Sequence, residues 1–342
     1  MTGKNVSPAL NADALVAYLR SRLPGDWNAL RIERFSGGQS NPTFRLEAGQ
    51  ETYVLRKRPE GPLLPSAHAI DREYRVMGAL RASAVPVPAM KLFCADETVI
   101  GASFFVMEHV AGRVVKEPAL PDVAPADRAA TYDAMNAALA AVHNVDLEAA
   151  GLADYGRPAG FYSRQIKRWS QQYRASETET IPAMDALIAW LPERLPATER
   201  AALVHGDFRL ENLILHPERP EVSAVLDWEL STLGDPLGDL AYNCLPWRLP
   251  PRAFGGLMER DLAGSGIPTE AEYVANYCRR TGRNGIEGWN FYVAFALFRM
   301  AAILQGVLKR SLEGNAASPE AAARGALAGL CAEAGLAAAE GD

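Results

Sequence analysis

A short β-rich segment, residues 203–229, interrupts helical sequence patterns and most strongly constrains the fold. It reads LVHGDF, then NLILH, then VSAVLDWE, so polar residues alternate with apolar runs that have the composition of strands. Catalytic residues often lie on short loops that rigid neighbouring elements hold in place. The polar residues of this segment are therefore the first candidates for chemistry.

The spacing within this segment resembles the catalytic loop of protein kinases and the metal-binding aspartate that follows it. The residues that carry the resemblance are His205, Gly206, Asp207, Asn212 and Asp227. Glycine replaces the kinase arginine, and Trp-Glu replaces Phe-Gly after the last aspartate. With GDPLGDLAY at 234–242, these departures resemble the aminoglycoside phosphotransferase and choline-kinase-like superfamily. The runs GRPAGFYSRQIKRW and FALFRMAAILQGVLKRSLEGNAAS resemble its acyl-CoA-dehydrogenase-associated branch.

The resemblance implies an α+β, protein-kinase-like fold with two lobes. We expect a small β-rich N-lobe at 1–108, a hinge at 109–112 and a larger, mostly helical C-lobe within 109–342. The family uses ATP and Mg²⁺ to phosphorylate an alcohol group. The resemblance therefore predicts an enzyme whose partner is a hydroxylated small molecule.

Phosphoryl transfer needs a positioned hydroxyl and neutralised phosphate charge. By resemblance, Asp207 is the base or orienting group for the hydroxyl, and Arg209 replaces the kinase lysine that neutralises the transferred phosphate. Asn212 and Asp227 offer the hard oxygen ligands that magnesium prefers. Glu229 either joins the metal ligands or faces solvent.

Three further residues are predicted to have architectural rather than catalytic roles. Asp235 precedes Pro236, which is the pattern of a helix N-cap with proline in the first turn. Asp239 is expected to hold the catalytic loop from beneath. His205 is expected to brace the loop by hydrogen bonding.

A Gly-Gly turn before a β-hairpin marks the phosphate-covering loop that the resemblance implies. It comprises Ser36, Gly37, Gly38, Gln39, Ser40 and Asn41. Glycines let backbone N–H groups approach phosphate oxygens closely. On the following strand, Arg56 occupies the place of the kinase lysine. Neighbouring strand residues point to opposite faces, so only one of Arg56 and Lys57 can enter the cleft. The resemblance favours Arg56, because choline-kinase-like relatives tolerate arginine there, with Glu73 as its partner on the next helix; the choice between Arg56 and Lys57 stays open at this point.

The run FFVMEHVAG resembles the hinge between kinase lobes. Glu108, His109 and Val110 would then present backbone groups to the adenine ring. Such contacts leave the choice between ATP and GTP open.

Composition excludes several other classes. A formal net charge of −6, from 41 acidic and 35 basic residues, argues against a nucleic-acid binder. The best candidate for a membrane span, the apolar run at 291–298, ends at Arg299. It is shorter than the roughly 18 apolar residues that a span needs, so we predict no membrane partner. The four scattered cysteines and the absence of a signal-peptide pattern favour a cytoplasmic location.

The acceptor and the oligomeric state stay open. The stretch 155–176 holds five cations and no carboxylate, and is either a solvated basic helix or an anion-binding rim. The branch resemblance implies an anionic substrate such as a hydroxyacyl-CoA. Alternatives are an aminoglycoside O-phosphotransferase and a nucleotide-binding pseudokinase that serves as a regulatory module.

Helical periodicity predicts the elements around this segment. The predicted helices are 66–82, 126–143, 160–174, 183–191, 270–281 and 287–311. Residues 315–342, rich in alanine and glycine, are expected to form a weak helix that ends in a disordered tail.

Overall fold

The computed structural model describes residues 10–35, 41–59, 70–314 and 321–341. The chain divides into two compact units. The first is Met1–Gly112 with Ser223–Glu229, and the second is Arg113–Val222 with Leu230–Asp342. The lobe boundary predicted after residue 108 stays a prediction.

In its described residues, the first unit is an antiparallel sheet with two α-helices. Its elements are α1 (Ala12–Leu19), β1 (Arg31–Arg34), β2 (Thr43–Ala48), β3 (Glu51–Lys57), α2 (Ile70–Leu80), β4 (Met90–Cys94) and β5 (Phe104–Glu108). The strand order is β1-β2-β3-β5-β4, and every neighbouring pair is antiparallel. The sheet provides a rigid support for Arg56, and α2 carries Glu73.

Alternation along the strands builds the core of this unit. In β2, Phe44 and Leu46 are fully buried while Thr43, Arg45 and Glu47 are partly exposed, as the two-residue period of a strand requires. They share one hydrophobic cluster with Leu15 and Leu19 of α1. Burial of each such side chain contributes about 1.5–3 kcal/mol.

The second unit is mostly helical. Its elements are α3 (Pro125–His143), α4 (Phe161–Ser176), α5 (Pro182–Trp190), β6 (Ala202–Val204), β7 (Leu213–Leu215), β8 (Val222–Val225, which runs on into the first unit), β9 (Thr232–Gly234), α6 (Pro236–Asn243), α7 (Leu245–Arg248), α8 (Glu270–Thr281), α9 (Trp289–Leu312), α10 (Ala321–Gly325) and α11 (Ala328–Glu340). Strand β6 precedes the catalytic-loop motif in sequence and β9 follows it, and the two strands pair antiparallel. The helices predicted from periodicity between 126 and 311 are confirmed, with ends that move by one or two residues.

The start of α8 shows why one of these predictions succeeded. Thr269 accepts a hydrogen bond from Glu272 N–H, and the Glu272 side chain accepts one from Thr269 N–H. This reciprocal capping box satisfies backbone donors that the helix itself leaves unpaired.

Helix α9 corrects the expectation that no segment is long and apolar enough to span a membrane. Within the described ranges it is the one helix that is long and apolar enough to cross a membrane, by length and composition alone. The most apolar 18-residue stretch of α9 is 67% buried inside the fold, so it serves largely as a core helix. Arg299 lies within this helix, and its guanidinium donates to the carbonyl oxygen of Gly206.

The helix expected near the C-terminus is confirmed, whereas the disordered tail expected after it is wrong for residues 328–340. They form α11, which packs on α9 and α5 and buries Cys331 and Ala332 completely. Small residues make this close approach possible. A Cβ on Gly335 would lie 3.1 Å from Leu297 Cβ, so alanine and glycine serve here as packing residues.

Candidate active site

The catalytic-loop motif follows β6 in a tight turn that only glycine accommodates at residue 206. Gly206 has a φ of 82°, in the left-handed region. A Cβ at this position would lie 2.7 Å from the carbonyl oxygen of Leu230, closer than side-chain carbons approach backbone atoms. The glycine that replaces the kinase arginine is therefore a steric requirement of this fold.

Asp239 on α6 holds the turn from beneath, as predicted. Its carboxylate accepts hydrogen bonds from His205 N–H (2.6 Å) and Gly206 N–H (2.8 Å), and it pairs with His143 Nε2 at 3.3 Å. Burial alone would raise the pKa of Asp239, but these donors and the neighbouring histidines hold that pKa below its ordinary value. The predicted N-cap is confirmed as well, since Asp235 accepts a hydrogen bond from Leu237 N–H at 2.9 Å.

Two donors hold the carboxylate of Asp207. Tyr242 O–H donates to Oδ1 at 2.6 Å, and Asn212 Nδ2 donates to Oδ2 at 3.0 Å. Arg209 Nε lies 3.4 Å from Oδ1, while the same guanidinium pairs with Glu211 at 2.8 Å. Asp207, Arg209 and Asn212 therefore meet in one cluster.

Tyr242 and Arg299 are the parts of this cluster to which sequence reasoning assigned no role. Arg299 Nη2 donates to the carbonyl oxygen of Gly206, and its guanidinium lies 5.2 Å from the ring centroid of Tyr242 and 5.6 Å from that of Trp169. A signal for Tyr242 exists in the sequence. It lies three residues after Asp239 and so shares a face of α6 with it.

A cavity of about 390 Å³ in the second unit adjoins this cluster. Both Arg209 and Tyr242 line it and both contact Asp207, which places the carboxylate at its edge. Apolar side chains such as Leu245, Leu249 and Met300 form much of the wall. The cationic lining residues are Lys116, Arg209, Arg252 and Arg324, against the carboxylates Glu117 and Glu211.

The basic stretch 155–176 does not supply cations to this cavity. Arg164 donates to the carbonyl oxygens of Ala159 and Arg157, and Arg174 pairs with Asp185 at 2.6 Å. None of its residues is among those that line the cavity. The structure therefore favours the solvated basic helix over the anion-binding rim.

In the first unit, Arg56 lies among three carboxylates. Its Nε is 3.0 Å from Glu73 Oε2, and its Nη2 is 2.6 Å from Asp227 Oδ1 and 3.6 Å from Glu229 Oε2. The predicted partnership of Arg56 with Glu73 is present. Glu229 does not face solvent, because it also accepts a hydrogen bond from Asn41 Nδ2 at 3.2 Å.

This cluster carries more negative than positive charge. Burial, helped by the charges of Asp227 and Glu229 and opposed by Arg56, raises the pKa of Glu73 to about 7. Three carboxylates facing one guanidinium form a setting in which a further cation is stabilising. The first unit thus has the electrostatics of a cation site.

Asp227 and Asn212 have donor atoms that fit magnesium. Asp227 has a φ of 66°, a left-handed backbone that is uncommon outside glycine and typical of functional positions. Asn212 uses its amide nitrogen on Asp207, which leaves its amide oxygen as the ligand atom. No group of three His, Cys, Asp or Glu side chains in the described ranges could hold a metal, and magnesium commonly needs only one or two carboxylates beside phosphates and water.

The remaining predicted nucleotide contacts lie near the ends of interior strands of the first sheet or outside the described residues. Ser36, Gly37, Gly38, Gln39 and Ser40 are outside. Asn41 is 1% exposed and reaches Glu229. Glu108 ends β5 and its side chain accepts a hydrogen bond from Ala89 N–H at 3.2 Å, while His109 and Val110 follow it outside regular secondary structure.

Comparison with known proteins gives one consistent family. A sequence profile described as "Phosphotransferase enzyme family" matches residues 31–289. Acyl-CoA dehydrogenase family member 10 of Mus musculus is 49% identical over 328 residues, which are 95% of this chain and 31% of that protein. Family member 11 of Homo sapiens is 44% identical over 91% of this chain and 40% of its own length. The chain thus spans less than half of these relatives.

Solved structures agree with the fold. A candidate aminoglycoside phosphotransferase of Ralstonia eutropha is 48% identical, with a TM-score of 0.87 over 97% of this chain and 98% of that one. The aminoglycoside phosphotransferase APH(4)-Ia, solved with AMP-PNP and hygromycin B, matches at a TM-score of 0.63 with 17% identity, over 96% of this chain and 99% of its own. The α+β, protein-kinase-like fold predicted from the sequence is confirmed.

Proposed function

The chain belongs to the phosphotransferase enzyme family, and on that premise we propose that it transfers phosphate from ATP to a hydroxyl group of a small molecule, with Mg²⁺ as cofactor. The observation that carries the proposal is Asp207. Its carboxylate is fixed by Tyr242 and Asn212 at the edge of a partly apolar cavity. A carboxylate held this way can orient an alcohol and accept its proton.

Each step of the proposed chemistry falls to residues already described. The acceptor hydroxyl donates its hydrogen bond to Asp207, which aims the oxygen lone pair at the phosphorus. Tyr242 and Asn212 keep the carboxylate from rotating. Arg209, whose Nε is 3.4 Å from Asp207, is proposed to offset charge on the transferred phosphate.

Nucleotide binding is assigned to the first unit and the catalytic loop. Asn212 and Asp227 would hold Mg²⁺, which supplies charge neutralisation on the phosphates. We assign Arg56, oriented by Glu73, to the ATP phosphates. Ser36, Gly37, Gly38, Gln39, Ser40 and Asn41 are proposed to cover those phosphates, and the backbone of Glu108, His109 and Val110 to contact adenine.

The cavity favours an anionic acceptor with an apolar part. Lys116, Arg252 and Arg324 are exposed cations that line an otherwise largely apolar space, the combination that suits an acyl chain attached to a phosphate-bearing group. A hydroxyacyl-CoA has this chemistry. The names of the relatives, which are acyl-CoA dehydrogenase family members, support the same choice.

The test is ATP turnover with a panel of hydroxyacyl-CoA thioesters, with and without Mg²⁺. Asp207→Asn keeps the shape of the side chain and removes its charge, so turnover should fall by about 10²- to 10⁴-fold. Asp133→Asn is the matched control, since Asp133 is half exposed on α3 and, in the part of the chain that the structure describes, its ion pair is with Arg280 alone. Equal turnover in wild type and Asp207→Asn would remove the assignment.

Two alternatives have distinct signatures in the same assay. An aminoglycoside phosphotransferase would turn over kanamycin or hygromycin and not the thioesters, but the four cations of the cavity oppose a polycationic acceptor. A pseudokinase would bind ATP and phosphorylate no member of either panel. The pairing of Arg56 with Glu73 speaks against it, because arginine here completes the ion pair that a lysine makes in kinases.

A further inference from the structure

A second cavity, of about 410 Å³, lies in the helical unit and shares no lining residue with the one beside Asp207. It is bordered by the segment that follows α5, by the turn between α8 and α9, and by the start of α6. Three arginines line it: Arg194, Arg200 and Arg283. None of them belongs to the proposed catalytic machinery.

Local structure brings Arg283 to this cavity. Helix α8 ends at Gly282, whose φ of 67° turns the chain, and Arg283 N–H then bonds to the carbonyl oxygen of Cys278 at 2.9 Å. The guanidinium atoms Nε and Nη2 of Arg283 are buried, and they have no hydrogen-bond partner in the described part of the chain. Buried donors without an acceptor cost free energy, so a shift of the Arg283 side chain that brings them to an anion in the cavity would be stabilising.

The other cations are placed from a different segment. Arg194 lies 4.9 Å from the ring centroid of Trp190, which limits where its guanidinium can move. Arg200 N–H is bonded to Asp235 Oδ2 at 2.9 Å, so its backbone is anchored to the start of α6 while its side chain is exposed. Cations from two separate segments thus converge on one space.

The carboxylates that line the cavity do not cancel these charges. Asp235 accepts three hydrogen bonds from within the fold, from Leu237 N–H, Tyr162 O–H and Arg200 N–H. Glu287 is exposed on the turn before α9. Three guanidinium groups therefore face two carboxylates, one of which is already satisfied internally.

The first turn of α9 adds to the same field. This 24-residue helix begins after Gly288, which lines the cavity and offers no side-chain acceptor to the first N–H groups. The positive end of the helix dipole therefore points to the region of the three arginines. Phe291 and Tyr292 supply an apolar wall, and the volume exceeds what one phosphate group needs.

We propose that this cavity is a binding site for a phosphate-bearing small metabolite, separate from the site of phosphate transfer. The phosphate accepts hydrogen bonds from Arg283 and Arg200, and the organic part lies against the aromatic wall. Recognition of this kind uses the forked geometry that arginine offers to phosphate oxygens. The proposal does not depend on the kinase function and stands or falls separately.

The experiment is a calorimetric titration of inorganic pyrophosphate into the full chain, with EDTA present and no nucleotide. We expect saturable one-site binding, weakened at least tenfold by Arg283→Gln and by Arg200→Gln. Arg279→Gln is the matched control, because it removes the same charge from an exposed position on α8 that does not line the cavity. Its affinity should stay within twofold of wild type.

A fourth variant, Arg56→Gln, distinguishes this cavity from the nucleotide-binding part. Binding that survives Arg56→Gln and is lost in Arg283→Gln supports the proposal. Absence of saturable binding, loss in Arg56→Gln alone, or equal loss in Arg279→Gln each overturns it. Arg200→Gln alters an exposed side chain, so it decides the matter if Arg283→Gln does not fold.

Discussion

The hydrogen bond from Tyr242 to Asp207 provides the sharpest test of the proposed catalytic loop. Tyr242→Phe removes one oxygen and keeps the ring, which is 7% exposed and lies beneath Arg299. The lost bond joins a phenol to a carboxylate at 2.6 Å. Bonds of this charge-assisted kind are worth about 1.5–3 kcal/mol.

If all of that energy positions Asp207 in the transition state, turnover falls by about 10- to 150-fold. Asn212 still holds the second carboxylate oxygen at 3.0 Å, so we expect the lower end, about tenfold. The KM for ATP should change little because Tyr242 is not assigned to the nucleotide. The assay is steady-state ADP release with the best acceptor from the thioester panel.

Tyr132→Phe is the matched control for this substitution. Tyr132 lines the same cavity, is buried, and donates a 2.6 Å hydrogen bond, but its acceptor is the carbonyl oxygen of Pro118. Its loss should lower thermal stability without a tenfold fall in kcat. The reasoning fails if kcat of Tyr242→Phe stays within twofold of wild type, or if both variants lose turnover equally.

Two further substitutions test the backbone of the loop and the charge cluster in the first unit. Gly206→Ala should abolish turnover and destabilise the fold by about 1–3 kcal/mol, because its Cβ would meet Leu230 O at 2.7 Å. Gly264→Ala is the control: Gly264 has a φ of 69° with open space around it, so this variant should keep turnover. Chemical denaturation and activity assays distinguish the two variants. The pKa of Glu73 is raised to about 7 from 4.5, so the folded protein keeps a proton that the unfolded chain releases, and stability falls as pH rises between those values. Glu73→Gln should lack this pH-dependent contribution to the free energy of unfolding, which is at most about 3 kcal/mol between pH 4.5 and pH 7. The measurement is urea unfolding of wild type and Glu73→Gln at pH 5 and pH 7. The same pH dependence in both proteins would contradict the prediction.

The sequence alone located the catalytic loop because its residues are close together in the chain. His205 through Asn212 are one short stretch, so their types and spacing carry the pattern directly. The helices between 125 and 312 were also predictable, since their apolar periodicity is long and uninterrupted. Asp239 could be assigned a supporting role because it follows the loop in a compact motif.

The partners that come from distant segments were not predictable in the same way. Arg299 lies 93 residues after Gly206, and nothing in the spacing connects them. The cavity beside Asp207 is lined from α3, α6, α7, α9 and α10 together with connecting segments, so its charge is a property of tertiary structure. The cationic stretch 155–176 was dense in sequence, but it does not line the cavity beside Asp207. Its residues Arg164 and Arg174 instead contact partners nearby in the chain.

The position of α11 has a consequence for how this module can be excised or joined to other domains. Helix α9 is apolar enough to resemble a membrane segment, and α11 covers part of it. A truncation before Ala321 would leave that hydrophobic surface in water, where it invites aggregation or capture by chaperones. Fusion junctions and expression boundaries therefore belong beyond Glu340, after the protective helix is complete.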